Sequence, residues 1–282
     1  MDCKAERKAL INEGILSLYG KPEPGQVVTD EGLYGMSCSI LEEQGDYVYI
    51  RMEYGYKGWV LGSGLREGAW APEDRRMRVM KRNMDVMERP EVASPVYKSM
   101  PMGSVVALAE GEEKEGWTCV RLADGRKGYT KTSYLVPCVE LNREGPDMDE
   151  ETFRVRVTEM VKMYEGTHYR WGGKSPFGID CSGLCSMAYL LCGVVIHRDA
   201  SLEPEFCMHK IERKDMKPGD LLFFPGHVAM YLGGERQMYI HSTAKAGSDG
   251  VDYNSLKPGD PLYREDLDKG ILYIGSIYPL DK

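Results

Sequence analysis

An internal repeat constrains the fold of this chain more than any other feature of its sequence. The segment that begins at Tyr47 aligns without gaps with the segment that begins at Trp117. The matched positions are Arg51 with Arg121, Gly55 with Gly125, Lys57-Gly58 with Lys127-Gly128, Trp59 with Tyr129, Ser63 with Ser133 and Leu65 with Leu135. In each copy apolar and polar residues alternate up to a glycine, and an aromatic residue then resumes the pattern. We therefore expect two copies of one small barrel of short antiparallel strands.

The repeated motif resembles bacterial SH3-like domains, small barrels that are often attached to cell-wall enzymes. The resemblance implies an N-terminal arm and a first SH3-like barrel in residues 1–75, and a second barrel in residues 76–142. The polar, turn-rich segment 142–147 is typical of a linker. We expect a third, catalytic domain in residues 148–282.

The first 20 residues predict a short helix or arm, because Leu10, Ile11, Ile15 and Leu18 form an amphipathic pattern. The segment from Met1 is charged and lacks the apolar core of a secretory signal. We expect a cytoplasmic protein if this N-terminus is native, and otherwise an envelope or secreted protein whose signal peptide has been removed.

Composition excludes several classes of function. With 42% hydrophobic residues and a mean hydropathy of -0.42, the 282-residue chain has the composition of a soluble globular protein. Its apolar runs fall short of the roughly 20 residues that a membrane helix needs, and a net charge of -8 argues against nucleic acid as a partner. Neither a Walker loop nor a dinucleotide fingerprint is present.

The eight cysteines contain no Cys-x-x-Cys pair, which favours reduced thiols over a disulfide scaffold. One of them, Cys181, follows a glycine-rich segment and precedes a helix-forming run from Leu184 to Leu191. At a helix start the free N–H groups and the helix dipole favour a thiolate, so this position suits a nucleophile. Two alternatives are a packed structural cysteine and a metal site shared with Cys185, for which the sequence offers no clear further ligands.

Two of the five histidines fall on one predicted hairpin. If Gly233-Gly234-Glu235 forms its loop, Leu232 pairs with Arg236, and His227 lies directly opposite His241 on the polar face. Opposed side chains are close enough for two imidazoles to hydrogen-bond. His227 could then take the proton of a thiol nucleophile while His241 orients it, and the alternative is a structural histidine pair.

The motifs in the second half of the chain resemble the NlpC/p60 cell-wall cysteine peptidases. These motifs are Tyr169-x-Trp171-Gly-Gly, Asp180-Cys181-Ser182-Gly183, Gly219-Asp220-Leu221, and His227-Val228-Ala229-x-Tyr231 followed by His241. The resemblance implies an α+β fold with a papain-like catalytic domain after the two SH3-like barrels. It also implies Cys181 as nucleophile, His227 as base, His241 as third residue and Tyr169 as a catalytic tyrosine that helps to stabilise the oxyanion.

A narrower resemblance is to family members with two SH3-like domains, which cut between D-glutamate and the diamino acid of murein peptides whose L-alanine has a free amine. It implies Asp180, Ser182, Asp199, Tyr56 and Glu31 as substrate-binding residues. A carboxylate or a hydroxyl is a suitable acceptor for an ammonium group. Three structural alternatives stay open, namely a barrel-surface aromatic for Tyr56, a helix N-cap for Asp180 and a turn residue for Asp199.

The sequence thus predicts a γ-D-glutamyl-L-diamino acid endopeptidase of cell-wall recycling or turnover, with lysine or diaminopimelate as the diamino acid. Its expected partners are murein peptides, without nucleic acid or membrane, and the chemistry requires no metal or organic cofactor. One alternative is an N-acetylmuramoyl-L-alanine amidase or acyltransferase that uses the same Cys-His machinery. Another is a wall-binding protein without catalysis.

Overall fold

Strands dominate the structure, a computed structural model that describes residues 7–112 and 114–278. The chain divides into two compact units, residues 1–138 and residues 139–282. The first unit is built from β-strands, whereas the second combines strands with helices, as expected for an α+β fold.

In the described part of the first unit, two antiparallel sheets of seven strands follow one another along the chain. We call them the first and second modules. The strands of the first module are β1 (Lys8–Ile11), β2 (Ile15–Tyr19), β3 (Val28–Leu33), β4 (Ser37–Gln44), β5 (Tyr47–Met52), β6 (Lys57–Leu61) and β7 (Leu65–Glu67). Those of the second are β8 (Arg76–Val79), β9 (Asn83–Met87), β10 (Val96–Pro101), β11 (Val105–Leu108), β12 (Trp117–Arg121), β13 (Lys127–Lys131) and β14 (Leu135–Pro137).

The two modules share one topology, which confirms the repeat. The strand order is β3-β2-β6-β5-β4-β1-β7 in the first sheet and β10-β9-β13-β12-β11-β8-β14 in the second, so each strand has its counterpart seven strands later. The short 3-10 helices Gly62–Gly64 and Thr132–Tyr134 also correspond. This architecture is consistent with the predicted SH3-like barrels.

The prediction of an N-terminal helix or arm is wrong for residues 7–19, which contain β1 and β2; residues 1–6 lie outside the described part of the chain. Leu16 and Leu18 are buried in β2 while the residues between and beside them are partly exposed. This spacing of two is that of a strand. The helical interpretation relied on Leu10, Ile11, Ile15 and Leu18, and the spacings of four and three from Ile11 to Ile15 and from Ile15 to Leu18 fit a helix by coincidence.

The modules share a core within the first unit. Tyr34, which follows β3, packs among buried residues of the second module such as Val86 and Val106. Its hydroxyl accepts a hydrogen bond from the Ala123 N–H at 2.8 Å. The next residue, Gly35, has φ +73, and a Cβ there would lie 1.9 Å from the Val105 oxygen. The contact between the modules therefore requires glycine at position 35.

The second unit has helices and one main sheet. Its elements are α1 (Glu150–Lys162), β15 (Lys174–Ser175), β16 (Gly178–Ile179), α2 (Cys181–Leu191), β17 (His209–Ile211), β18 (Leu221–Phe224), β19 (His227–Gly233), β20 (Met238–Thr243), β21 (Gly250–Ser255), α3 (Glu265–Lys269) and β22 (Tyr273–Ser276). The main sheet is antiparallel, with the order β17-β22-β18-β19-β20-β21. Helices α1 and α2 pack together through Phe153 and Tyr189, whose ring centroids are 5.4 Å apart.

The register predicted for the β19–β20 hairpin is wrong by two residues. Met230 pairs with Ile240 and Tyr231 with Tyr239, and the register then shifts before Gly233 pairs with Met238. When the same register is extended toward the open end of the hairpin, His241 lies opposite Ala229. His227 and His241 are therefore diagonal neighbours. The irregularity at Leu232 and a longer loop cause the difference. Because a shift of two residues preserves the face of a strand, both histidines remain on the same face.

Candidate active site

Cys181 is the first residue of α2 and is 7% exposed. Asp180 caps this helix, because its Oδ1 accepts a hydrogen bond from the Gly183 N–H at 2.6 Å, which confirms the N-cap interpretation. The Trp171-Gly172-Gly173 loop crosses the helix start so closely that a Cβ at Gly183 would lie 2.2 Å from the Gly173 oxygen. Glycine at position 183 therefore permits the close approach that encloses the cysteine.

Backbone groups of the sheet and of the helix start affect the ionisation of Cys181. The backbone N–H groups of Val228 and Ser182 both lower the pKa of this thiol. Val228 directly follows His227 at the start of β19. Helix α2 packs against β19, the strand that carries His227.

A second contact fixes the neighbouring strand against the same loop. The hydroxyl of Ser242 in β20 donates to the carbonyl of Ile179 at 2.7 Å, and both residues are buried. Ser242 is adjacent to His241, and Ile179 lies two residues before the cysteine. Tyr169 forms a parallel bridge with the same Ile179. The structure therefore brings together the segments that carry all four residues with predicted catalytic roles.

Burial dominates the ionisation of the thiol. Burial, with a smaller contribution from the Asp180 carboxylate, raises the pKa of Cys181 to about 11. The N–H groups of Val228 and Ser182 lower this pKa but do not outweigh burial. Burial therefore opposes the thiolate expected at the helix start and favours the protonated thiol. Activation of the thiol then requires a neighbouring base.

The two histidines form a hydrogen-bonded chain with Asn254 of β21. His227 Nε2 and His241 Nδ1 are 2.8 Å apart, and His241 Nε2 lies 3.0 Å from Asn254 Oδ1. Since this oxygen accepts, His241 donates from Nε2 and accepts at Nδ1. His227 then donates from Nε2, and its Nδ1 keeps the lone pair that a base needs.

Both imidazoles are neutral at physiological pH. Burial, with smaller contributions from His241 and Arg264, lowers the pKa of His227 to about 3. Burial likewise lowers the pKa of His241 to about 4, against an opposing contribution from the hydrogen bond to Asn254. A neutral His227 can accept a proton, as a general base must.

The phenol of Tyr169 is protonated at physiological pH. Burial raises the pKa of Tyr169 to about 12, and the next contributions come from the charges of Cys181 and Asp180. A protonated phenol can donate a hydrogen bond to a developing oxyanion.

A buried arginine holds two of the predicted substrate-binding residues. Arg198 is 3% exposed, and its guanidinium donates to both Asp180 oxygens at 3.0 Å and to the Ser182 hydroxyl at 2.8 Å. The second Asp180 oxygen also accepts from the Gly172 N–H at 2.9 Å. The Asp180 carboxylate thus holds the Trp171-Gly172-Gly173 loop against the start of α2.

Asp199, the next residue, is exposed and borders a pocket beside the helix start. Ser182 and Val228 line the same pocket, as does a hydrogen-bonded series of polar side chains. In this series the Ser201 hydroxyl donates to Glu203 at 3.1 Å and lies 3.1 Å from His197 Nδ1. Two carboxylates, Asp199 and Glu203, therefore border a pocket that Ser182 also lines, and a carboxylate is a suitable acceptor for a cationic group.

Tyr56 and Glu31 belong to the first module. Glu31 lies in β3 and is 2% exposed. Tyr56 is half-buried, and its hydroxyl donates to the Thr29 carbonyl at 3.4 Å. Their substrate-binding roles stay predictions.

The described residues contain no group of three or more His, Cys, Asp or Glu side chains that could hold a metal ion. Their seven cysteines all carry free thiols. No helix among them is long and apolar enough to cross a membrane.

Comparison with known proteins identifies the family. Residues 166–263 match the model of the NlpC/P60 family. A protein named dipeptidyl-peptidase 6 from Lysinibacillus sphaericus is 39% identical over 278 residues, which cover 96% of this chain and 99% of that protein. The chain belongs to the NlpC/P60 family.

More distant NlpC/P60 relatives also span much of the chain. The gamma-D-glutamyl-L-lysine dipeptidyl-peptidase of Bacillus subtilis is 25% identical over 240 residues, covering 78% of this chain and 74% of that protein. The crystal structure of an NlpC/P60 family protein from Bacillus cereus matches with a TM-score of 0.73 over 95% of this chain and 98% of its own. At 18% identity this match shows the fold alone.

Two residues of this NlpC/P60 site escape an analysis of the sequence. Arg198 lies in a polar loop where an exposed side chain is the usual expectation. Asn254 is one of several polar residues on a strand near the C-terminus. The alternation along β21 places Asp252 and Asn254 on one face of the strand. This is the only feature of the sequence that indicates, and only weakly, a role for Asn254. Neither residue could be assigned to the site from the sequence, because the residues that it contacts there are distant in the chain.

Proposed function

We propose that the protein is a cysteine peptidase that hydrolyses the γ-D-glutamyl-L-diamino acid bond of murein peptides with a free N-terminal L-alanine. The proposed setting is recycling or turnover of the cell wall. The observation that carries the proposal is the chain from Asn254 through His241 to His227. It leaves His227 Nδ1 as a neutral base on β19, the strand that packs against the helix beginning at Cys181. Relatives named for γ-D-glutamyl-L-lysine dipeptidyl-peptidase activity support the choice of bond.

The proposed reaction begins when His227 removes the thiol proton. The Cys181 sulfur attacks the γ-amide carbonyl carbon of D-glutamate, and the carbonyl electron pair moves onto the oxygen. Because burial keeps the free thiol protonated, proton transfer accompanies attack. The resulting imidazolium is stabilised by His241, whose own donor is bound to Asn254.

Collapse of the tetrahedral intermediate breaks the amide bond. The imidazolium of His227 gives its proton to the leaving amine of the diamino acid, and the L-Ala-γ-D-Glu acyl group stays on sulfur as a thioester. Water, deprotonated by the same histidine, then attacks the thioester carbonyl, the C–S bond breaks to release L-Ala-γ-D-Glu, and the imidazolium returns the proton to the Cys181 sulfur. No metal or organic cofactor takes part in these steps.

The arrangement supports a papain-like assignment of the catalytic domain, in which a helix carries the nucleophile and the sheet carries the base. In this proposal the oxyanion is stabilised by the Cys181 backbone N–H at the start of α2 and by the protonated phenol of Tyr169. Helix N-termini offer such unpaired N–H groups.

For recognition, we propose that Asp199 and the pocket beside it bind the ammonium group of L-alanine. Asp199 is exposed at this pocket, whereas the carboxylate of Asp180 is already engaged by Arg198 and by backbone N–H groups. The resemblance adds Tyr56 and Glu31 of the first module as further substrate-binding residues.

Mass spectrometry of reaction products tests the proposal. L-Ala-γ-D-Glu-L-Lys and its diaminopimelate analogue are each incubated with the protein, with the alanine amine either free or acetylated. The proposal predicts release of L-Ala-γ-D-Glu from at least one free peptide and at least tenfold slower cleavage of the acetylated form. Cleavage only at the bond between muramic acid and L-alanine in a muropeptide would favour the amidase alternative. Murein binding without turnover would favour a wall-binding protein.

A further inference from the structure

Asn254 occupies the end of the histidine chain and has a fixed orientation. Its Nδ2 donates to the Leu262 carbonyl at 3.2 Å, while its Oδ1 lies 3.0 Å from His241 Nε2. A backbone carbonyl can only accept, so the amide NH₂ must face Leu262 and the amide oxygen must face His241. The same carbonyl also accepts from the Ser255 N–H at 2.9 Å, which keeps residue 262 beside β21.

We propose that Asn254 is a positioning residue that selects the tautomer of both histidines in the reaction at Cys181. Its oxygen requires the proton of His241 on Nε2, and this leaves Nδ1 of His241 as the acceptor for His227. If the proton of His241 moved to Nδ1, His227 Nε2 would become the acceptor. The proton of His227 would then lie on its Nδ1, which could no longer act as a base toward the thiol.

Burial makes this selection necessary. His241 is fully buried and Asn254 is 9% exposed. Tyr239 packs edge-on against His241, with ring centroids 5.4 Å apart. A donor in such surroundings that loses its acceptor is left unsatisfied, which costs about 1–3 kcal/mol. Without Asn254, the tautomer with Nε2–H therefore loses its advantage over the other.

The lack of charge on the Asn254 side chain also affects the pKa of the histidine pair. An aspartate in this position would stabilise the imidazolium and raise the pKa of the histidine pair. The amide accepts the same hydrogen bond without a full negative charge. The other charged groups that act on His241 are Arg264, which lowers its pKa, and Asp252 and Asp266, which raise it. Arg264 and Asp266 are themselves paired at 2.7 Å.

The inference rests on the proposed peptidase mechanism, and its test uses three variants of the full chain. Asn254→Ala removes the acceptor, and Asn254→Asp keeps an acceptor but adds charge. Tyr253→Phe is the matched control, because the neighbouring Tyr253 hydroxyl bonds Glu165 at 2.9 Å and touches neither histidine. Two readouts are taken, namely kcat and KM across pH and the histidine ring ¹⁵N signals by NMR, which report which ring nitrogen carries the proton.

We expect Asn254→Ala to lower kcat by about 10- to 100-fold with little change in KM, as for other partners that orient a functional histidine. Its NMR spectrum should lose the single Nε2–H form of His241. Asn254→Asp should keep that form and move the acid limb of the kcat/KM profile to higher pH. Tyr253→Phe should match the parent protein in both readouts.

An alanine variant that keeps the Nε2–H form of His241, or a kcat equal to that of Tyr253→Phe, would overturn the inference. If Asn254→Ala does not fold, Asn254→Asp provides the test. An unshifted acid limb of its kcat/KM profile would contradict the positioning role of Asn254. The NMR readout does not need turnover. Failure of the peptidase proposal would appear instead as uncleaved murein peptides with the tautomer change still present.

Discussion

His227 and His241 are diagonal neighbours across the β19–β20 ladder, and yet His227 Nε2 and His241 Nδ1 are only 2.8 Å apart. Diagonal side chains in a sheet are separated by more than directly opposed ones, but long or aromatic side chains can bridge the gap. The ring planes meet at 70°, so the two nitrogens approach in the geometry of a hydrogen bond rather than of stacked rings. In the proposed mechanism His227 transfers a proton and His241 orients His227.

The two histidines should therefore differ in their effect on turnover. His227→Ala removes the base, and we expect kcat to fall by about 10⁴-fold or more. His241→Ala removes only the orienting partner and should retain measurably more activity. Steady-state cleavage of a murein tripeptide by the two variants, with folding checked by circular dichroism, measures the difference. Equal losses would argue against the division of roles.

The raised pKa of Cys181 predicts how the free enzyme reacts with an alkylating agent. With a thiol pKa of about 11, the thiolate fraction rises about tenfold per pH unit across the neutral range. The rate of iodoacetamide labelling of Cys181 should follow this slope between pH 7 and pH 9. Peptide mass spectrometry isolates this site, with Cys181→Ala as the control for other thiols. A rate that is already constant below pH 7 would instead indicate a thiolate–imidazolium pair in the free enzyme.

The buried pair of Arg198 and Asp180 should be essential for the structure of the site. Arg198→Ala leaves the capping carboxylate without its cation, and breaking a buried ion pair on one side costs about 3–5 kcal/mol. Urea denaturation of the variant measures the loss. Arg264→Ala is the control, since this arginine pairs with the exposed Asp266. A loss for Arg198→Ala no larger than that of the control would contradict the assigned role.

The shared core of the two modules predicts that alanine substitutions at two glycines with positive φ differ in their effect on thermal stability. Gly35→Ala places a Cβ 1.9 Å from the Val105 oxygen, whereas a Cβ at Gly45 meets no atom within 4 Å. Both substitutions carry the cost of a left-handed conformation, about 1–2 kcal/mol. The melting temperature should fall clearly further in Gly35→Ala, and equal decreases in the two variants would contradict the close contact.

Local patterns were enough to predict much of this structure. The repeat predicted two modules of one topology, and the segment before Cys181 predicted the start of α2. The hairpin face was predicted correctly because a register error of two residues leaves the alternation unchanged. The N-terminal strands were missed, since the apolar residues of β1 and β2 fit two periodicities over a short span.

Features that depend on burial or on distant partners could not be predicted from the sequence. The pKa of Cys181 is raised because the folded chain encloses the sulfur, and this burial outweighs the N–H groups of Val228 and Ser182. Arg198 and Asn254 acquire their roles only when the fold brings them to Asp180 and His241. The loop and irregularity that set the true hairpin register reflect backbone geometry around Leu232, which the Gly-Gly sequence does not specify.

Trapping of the acyl-enzyme tests the central claim most directly. The protein is mixed with L-Ala-γ-D-Glu-L-Lys or its diaminopimelate analogue, quenched with acid within milliseconds to seconds, and digested for mass spectrometry. Cys185→Ala serves as the control because Cys185 lies one turn further along α2. We predict an L-Ala-γ-D-Glu thioester on Cys181 in the parent protein and in Cys185→Ala, with neither adduct nor turnover in Cys181→Ala. Continued hydrolysis of the peptide by Cys181→Ala would contradict the account.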